Sequence, residues 1–120
     1  QFADFPQKMY AAEVTREKLF LRLHQELPYN LTVEPASWIT RVDNTVRIEQ
    51  TIFVSHKRHK AMIIGLRGEV IKSISIAARA EIEDFLCKRV HLFLRVKVRE
   101  NWLSEPLRFT NMGLNLRGSN

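Results

Sequence analysis

At 120 residues the chain has room for one domain with its own core and none for a large cleft between domains. A composition of 45% hydrophobic and 27% charged residues excludes a disordered or membrane-embedded segment, and no apolar run approaches the roughly 18 residues of a spanning helix. Cys87 is the only cysteine, which excludes an intrachain disulfide, while 19 Lys plus Arg against 13 Asp plus Glu, a net +6, favours a polyanionic partner.

Residues 1–9 have no clear period and read as a linker. From about Tyr10 the pattern is helical, with Ala12, Leu19, Phe20, Leu23 and Leu27 near one face, until Pro28 stops it. Leu31 and Val33 then alternate with Asn30, Thr32 and Glu34 in a half-buried strand. Pro35 bends it toward an edge or a bulge, and Trp38 and Ile39 continue it. Asp43 and Asn44 supply a turn, so a hairpin follows, with Val46, Ile48, Ile52 and Val54 on the buried face of its second strand. A short helix is expected over Lys57 to Ile64, and a longer one over Glu69 to Leu86 with Val70, Ile71, Ile74, Ala78, Ile82 and Phe85 at three- and four-residue steps. Cys87, after that helix, reads as a buried structural thiol. The clearest strand is the last, where Val90, Leu92, Leu94, Val96 and Val98 alternate strictly with polar residues and Phe93. Residues 101–116 carry enough apolar side chains to fold back on the domain, and 117–120 fray. The resulting α+β order is α-β-β-α-α-β, a three-stranded mixed sheet with helices on one face.

Between the two later helices stands Gly65-Leu66-Arg67-Gly68. Two glycines so spaced permit a tight turn and let another backbone come close. The helix that opens after Gly68 presents orphan N–H groups and the positive end of its dipole, which favours an anion. Lys57, Arg58, His59, Lys60, Arg67 and Lys72 surround this loop with a field suited to phosphates, and Glu69 is the one acid among them. Such a loop is the device with which KH domains clamp single-stranded RNA.

The element order resembles the type II KH domain. The local text resembles the C-terminal domain of the Era family of ribosome-assembly GTPases: Glu26-Leu27-Pro28-Tyr29, the Arg47 to Val54 strand, Ile63-Ile64-Gly65, Ala77-Ala78-Arg79, and Val96-Lys97-Val98-Arg99-Glu100-Asn101-Trp102. The resemblance covers residues 11 to 112 and implies a KH domain over 10–116 that binds the 3′ end of small-subunit (16S-type) ribosomal RNA and serves small-subunit assembly. It further implies an N-terminal GTPase domain, with its GTP and Mg, that this chain lacks: no Gly-x-x-x-x-Gly-Lys-Ser/Thr loop occurs. That GTPase domain and the small ribosomal subunit are the implied partners, with a membrane-peripheral association of the full-length protein. No cofactor is expected in this domain, and the implied compartment is the bacterial cytoplasm, with the mitochondrial matrix as the alternative. The family commonly reads Gly-Lys-Gly-Gly here, so Leu66 replaces a lysine and Arg67 a glycine. From that departure comes the alternative reading, a protein-docking or regulatory domain with weakened RNA affinity.

By analogy with KH grooves, Ile63, Ile64, Ile71 and Ile74 are expected to floor the RNA-binding groove and the Arg47 to Phe53 strand to wall it, with Arg47, Glu49 and Gln50 as candidate base readers. Arg95, Lys97 and Arg99 are a further basic strip on the last strand. Phe53 and Phe93 read as packed beneath the helices, with base stacking as the alternative. The four histidines form no ligand set, and no nucleophile and base stand together, so a binding module is expected and no catalysis.

Overall fold

Eight elements follow one another in the computed structural model, which describes residues 5–28 and 30–99. They are helix α1 (Phe5–Leu23), a 3₁₀ turn (His24–Glu26), strands β1 (Thr32–Thr40) and β2 (Val46–Val54), helix α2 (Lys57–Ile64), a 3₁₀ turn (Leu66–Gly68), helix α3 (Glu69–Leu86) and strand β3 (Val90–Val98). The α-β-β-α-α-β order of a type II KH domain is therefore present. The expected fold-back of residues 101–116 and the frayed end lie outside the described residues.

The first helix differs from its expected span at both ends. It begins at Phe5, because Pro6 in the first turn has φ already set for a helix and needs no intrahelical N–H bond, so part of the expected linker is helical. It ends at Leu23, ahead of Pro28, whose ring holds Leu27 extended at φ −90°, ψ 148°. Each of the other helices and strands β2 and β3 occupies its expected span.

The sheet order is β1-β2-β3, with β1 antiparallel and β3 parallel to the central β2. The hairpin turn is closed by Asp43, whose Oδ1 accepts from the Thr45 N–H at 3.0 Å and the Thr45 hydroxyl at 2.7 Å, while Asn44 takes φ 73°. Edge strand β1 shifts register between Pro35 and Ser37, as its proline requires. Val46, Ile48, Ile52 and Val54 of β2 and Val90, Leu92 and Val96 of β3 are buried, as are Leu19 and Leu23 of α1 and Ile74, Ala78 and Ile82 of α3. The three helices cover this one face. Ala77 and Ala80 are exposed, so Ala78 alone of the α3 alanines permits the close approach to the sheet. Phe85, half exposed, leaves the core pattern and packs on the Tyr10 ring at 4.3 Å. Among the described residues no helix is long and apolar enough to cross a membrane.

Four polar side chains are buried among the described residues, Thr15, Gln50, Thr51 and His59. Gln50, 2% exposed, continues the buried alternation of β2, and the Thr15 hydroxyl donates to its Oε1 at 2.5 Å; its amide Nε2 has no hydrogen-bond partner among the described residues. The Thr15 hydroxyl also lies 3.3 Å from the Ala11 carbonyl. His59, 6% exposed, is the inward residue of α2, and its Nδ1 is likewise unpartnered. Burial, with Arg58 and His56 beside it, holds its pKa below the ordinary 6.5.

Two predictions follow from these buried groups. Thr15→Val leaves the amide wholly unsatisfied and costs about 1–3 kcal/mol in denaturant unfolding, whereas adding Gln50→Leu, which removes the stranded amide, recovers most of that loss. Because the His59 pKa is depressed in the folded state, its contribution is intact above pH 6.5 and stability falls as pH drops below that value toward the folded pKa, the unfolded chain taking up the proton first. His59→Gln flattens that acid slope, measured as melting temperature against pH.

Candidate nucleic-acid interface

The site is built where α2 gives way to α3. Gly65 stops α2 at φ 76°, ψ 177°, a region essentially confined to glycine, while its N–H still donates to the Ala61 carbonyl at 2.9 Å. A Cβ at this position would lie 2.3 Å from Val70 Cγ2 and 2.7 Å from Val70 Cβ, so the first turn of α3 already occupies the space. Arg67 and Gly68 follow in left-handed backbone, at φ 56°, ψ 26° and φ 75°, ψ 15°. A Cβ built on Gly68 meets nothing within 4 Å among the described residues. The two glycines therefore do different work: Gly65 is demanded by the protein's own packing, and Gly68 leaves open space for something else.

That space adjoins the N-terminus of α3, which has no side-chain cap. The Glu69 N–H donates to the Leu66 carbonyl, and the N–H groups that follow it lack partners within the helix, at the positive end of its dipole. Lys57, Arg58, Arg67 and Lys72 are exposed and Lys60 partly so, and among the described residues none of the five is in an ion pair. Glu69 is the only acid beside them, at the end of the helix where a negative charge is favoured. The loop is thus a local concentration of uncommitted positive charge around a gap in the side-chain surface.

The sequence-predicted residues separate into those that reach this surface and those that do not. Gly65, Leu66, Arg67, Gly68, Lys57, Arg58, Lys60 and Lys72 are gathered around the loop, with Leu66 77% exposed. Of the four isoleucines, Ile64 and Ile71 are partly exposed and available as a floor, while Ile63 and Ile74 are buried beneath them. His59 turns inward from the basic run, and its neighbour His56 is exposed.

The wall of the groove differs from the expected one. β2 is the central strand and β3 the edge strand under the two later helices: α3 packs against β3, and α2 against β3 and, less, β2, with the partly buried Leu94 and Val98 of β3 packed on the shared core. Gln50 points into the core and cannot meet a base. Arg47 and Glu49 lie on the opposite face of the sheet, ion-paired to each other, and the Arg47 guanidinium sits over the Phe93 ring at 4.5 Å. Phe53 and Phe93 likewise occupy that outer face and are not covered by helices; Arg99 lies over Phe53 at 3.9 Å and reaches Glu34 at 3.3 Å. Arg95 and Lys97 are exposed there too. The role of β3 escaped sequence reasoning because period two fixes which side chains share a face but not which strand takes the edge. Its one signal was the two-helix crossover, which requires a parallel neighbour.

Cys87 is exposed and free, a departure from the expected buried thiol. It occupies the left-handed position that ends α3, at φ 56°, outside the helix's packed face. Among the described residues no group of three His, Cys, Asp or Glu is placed to hold a metal ion.

Comparison with known proteins agrees with this geometry. The chain is 56% identical over 120 residues to the GTPase Era of Dinoroseobacter shibae and 54% identical over 114 residues to that of Brucella suis. It spans 39% and 37% of the length of these two relatives, and they match 100% and 95% of it. A crystal structure of Aquifex aeolicus Era bound to GDP and aluminium fluoride superposes with a TM-score of 0.78 at 31% identity, over 92% of this chain and 37% of that one. A crystal structure of Era in complex with MgGDPNP and nucleotides 1506–1542 of 16S ribosomal RNA gives 0.78 at 32%, over 89% of this chain and 36% of that one. The family model described as KH domain matches residues 26–103, and the chain belongs to the KH domain family.

Proposed function

We propose that this chain is the RNA-binding KH domain of an Era-type GTPase and that it holds single-stranded RNA, namely the 3′ end of small-subunit ribosomal RNA, during small-subunit assembly in the bacterial cytoplasm. The observation that carries the reading is Gly68: left-handed backbone with no neighbour among the described residues within 4 Å of a would-be Cβ, at the start of α3, which has no side-chain cap. A sugar-phosphate chain can approach there to backbone contact, and the flanking cations supply the charge. The solved Era complex with 16S ribosomal RNA supports the choice of RNA.

The residues assigned to the contact are Gly65 to Gly68 for the backbone, Lys57, Arg58, Lys60, Arg67 and Lys72 for the phosphates, and Ile64 and Ile71 for the faces of bases. Base edges are read along β3 and not by Arg47, Glu49 or Gln50, which face the far side of the sheet or the core. The GTPase domain of the full-length relatives is the partner in cis. No step here is chemical; the domain binds and positions.

The two glycines are separable by experiment. Gly68→Asp keeps the fold, since the new side chain enters open space and aspartate tolerates left-handed backbone, but it abolishes binding of a short 3′-end RNA by bulk and charge. Gly65→Ala instead loses on the order of 2–4 kcal/mol of stability, from overpacking against Val70 and a backbone region closed to alanine. Unchanged RNA affinity in Gly68→Asp defeats the proposal. With three to five phosphates contacted, the wild-type log K falls against log salt with a slope between about −2 and −3.5.

A further inference from the structure

A line of side chains runs from the glycine loop along α3 for most of that helix. Ile71, Ser75, Arg79 and Glu83 stand at successive four-residue steps on one side of α3, and this line faces β3: the Ser75 hydroxyl donates to the Leu92 carbonyl at 3.4 Å and Glu83 Oε2 accepts the Val90 N–H at 2.8 Å. β3 pairs only with β2 among the described residues, so no strand covers the edge along which this line runs, and α3 itself holds the Val90 N–H and the Leu92 carbonyl there. The line ends in an open cavity of about 410 Å³ lined by Arg79, Glu83, Arg89, Val90 and His91. Glu83 stands roughly 22 Å from Gly68 along the helix axis, at about 1.5 Å per residue.

The charge in this cavity is not balanced. Glu83 is engaged on the protein's own side, by the Val90 N–H and by Arg79 Nη1 at 3.2 Å. The Val90 hydrogen bond first, then the nearby guanidiniums, keep its carboxyl below the ordinary carboxylate range, so it stays ionised and committed to those partners. Arg89, the residue before β3, is tied to the fold by its carbonyl, which accepts from the Val46 N–H at 2.9 Å. Its side chain is exposed and in no ion pair among the described residues. Two guanidiniums therefore face one carboxylate, and Arg89 is the one left over.

We propose that this cavity is a second phosphate subsite, in which Arg89, with the outer N–H groups of Arg79, holds a phosphodiester of the same RNA strand beyond the four nucleotides that a glycine loop clamps. The inference rests on the RNA-binding reading above and adds its length: the strand leaves the loop, follows the edge of β3 and is anchored again where β3 begins. A guanidinium suits this end because its planar fork meets two phosphate oxygens at once.

The test is an NMR titration of the full chain with two single-stranded RNAs copying the 3′ end of small-subunit rRNA, a tetranucleotide and a strand three times as long. Wild type binds both and gains affinity with length. Arg89→Ala and Arg89→Glu leave tetranucleotide affinity unchanged and weaken the longer strand by about tenfold or more. The salt slope for the longer strand drops by about 0.7. An undiminished gain with length in both variants overturns the subsite. Equal weakening of both RNAs also overturns it, because Arg89 would then act only through the general field. If wild type binds neither RNA, the glycine-loop reading fails, and this inference with it.

Discussion

Gly65 against Val70 is the contact on which the rest of the domain depends. With no Cβ on Gly65, the first turn of α3 closes onto the end of α2, at a separation where any side chain would overlap Val70. That closure places Ile63 of α2 and Ile74 of α3 in one buried cluster with Leu19 of α1 and Ile52 of β2. It also obliges the chain to make its turn in left-handed backbone at Arg67 and Gly68, which aims the start of α3 at solvent. An anion-attracting helix end, normally a liability to be capped, is thereby left open. Packing and binding are joined at this point: the core chooses Gly65, and the geometry that results creates the vacancy at Gly68.

The distribution of charge matters more than its sum. Two of the cations on the outer face of the sheet are committed to neighbours, Arg47 to Glu49 and the Phe93 ring, Arg99 to Glu34 and the Phe53 ring, while Arg95 and Lys97 are in no ion pair among the described residues. Each cation–π contact of this exposed kind is worth roughly 0.5–1 kcal/mol, enough to hold a guanidinium flat against its ring. Cations around the loop have no such partners, so the uncommitted charge divides between exposed side chains spread along and beside β3 and a cluster of five at the helix end. A polyanion is drawn to the second.

Sequence periodicity made most of the fold legible. Strict alternation marked β2 and β3 to the residue, and the three- and four-residue steps did the same for α2 and α3. The start of α1 was hidden because Phe5 to Met9 have no apolar period, and that segment is helical through Pro6 and continuation of the helix behind it. The loop was legible because glycine spacing and basic neighbours are local facts. The groove wall was not, since it depends on sheet order, a long-range property that side-chain periods leave open. Gln50 shows the same limit in one residue: amid Ile48 and Ile52 its polarity suggested function, although its place in the alternation already put it inside. Phe53 and Phe93 show the converse, aromatic residues that alternation placed outside and hydrophobicity suggested were within.

The departure of this loop from the common family pattern has a definite physical shape. Arg67 holds a left-handed conformation that costs a residue with a Cβ about 1–2 kcal/mol, and glycine is the residue that adopts it freely. The neighbouring helices fix both ends of the turn, so the arginine bears that strain and in return carries a guanidinium at the loop's exposed tip. Leu66, beside it, contributes neither charge nor core contact. The lost lysine therefore subtracts one mobile point charge, and Arg67 restores one a residue later. Lys57, Arg58, Lys60 and Lys72 are carried on the flanking helices and are untouched by the exchange. On the proposed reading, what no neighbour can replace is the space over Gly68, because only the absence of a side chain would bring a phosphate close enough to meet the N–H groups of α3. Binding at this loop, as proposed, is thus governed first by a vacancy and second by charge, and the exchange at positions 66 and 67 alters only the second.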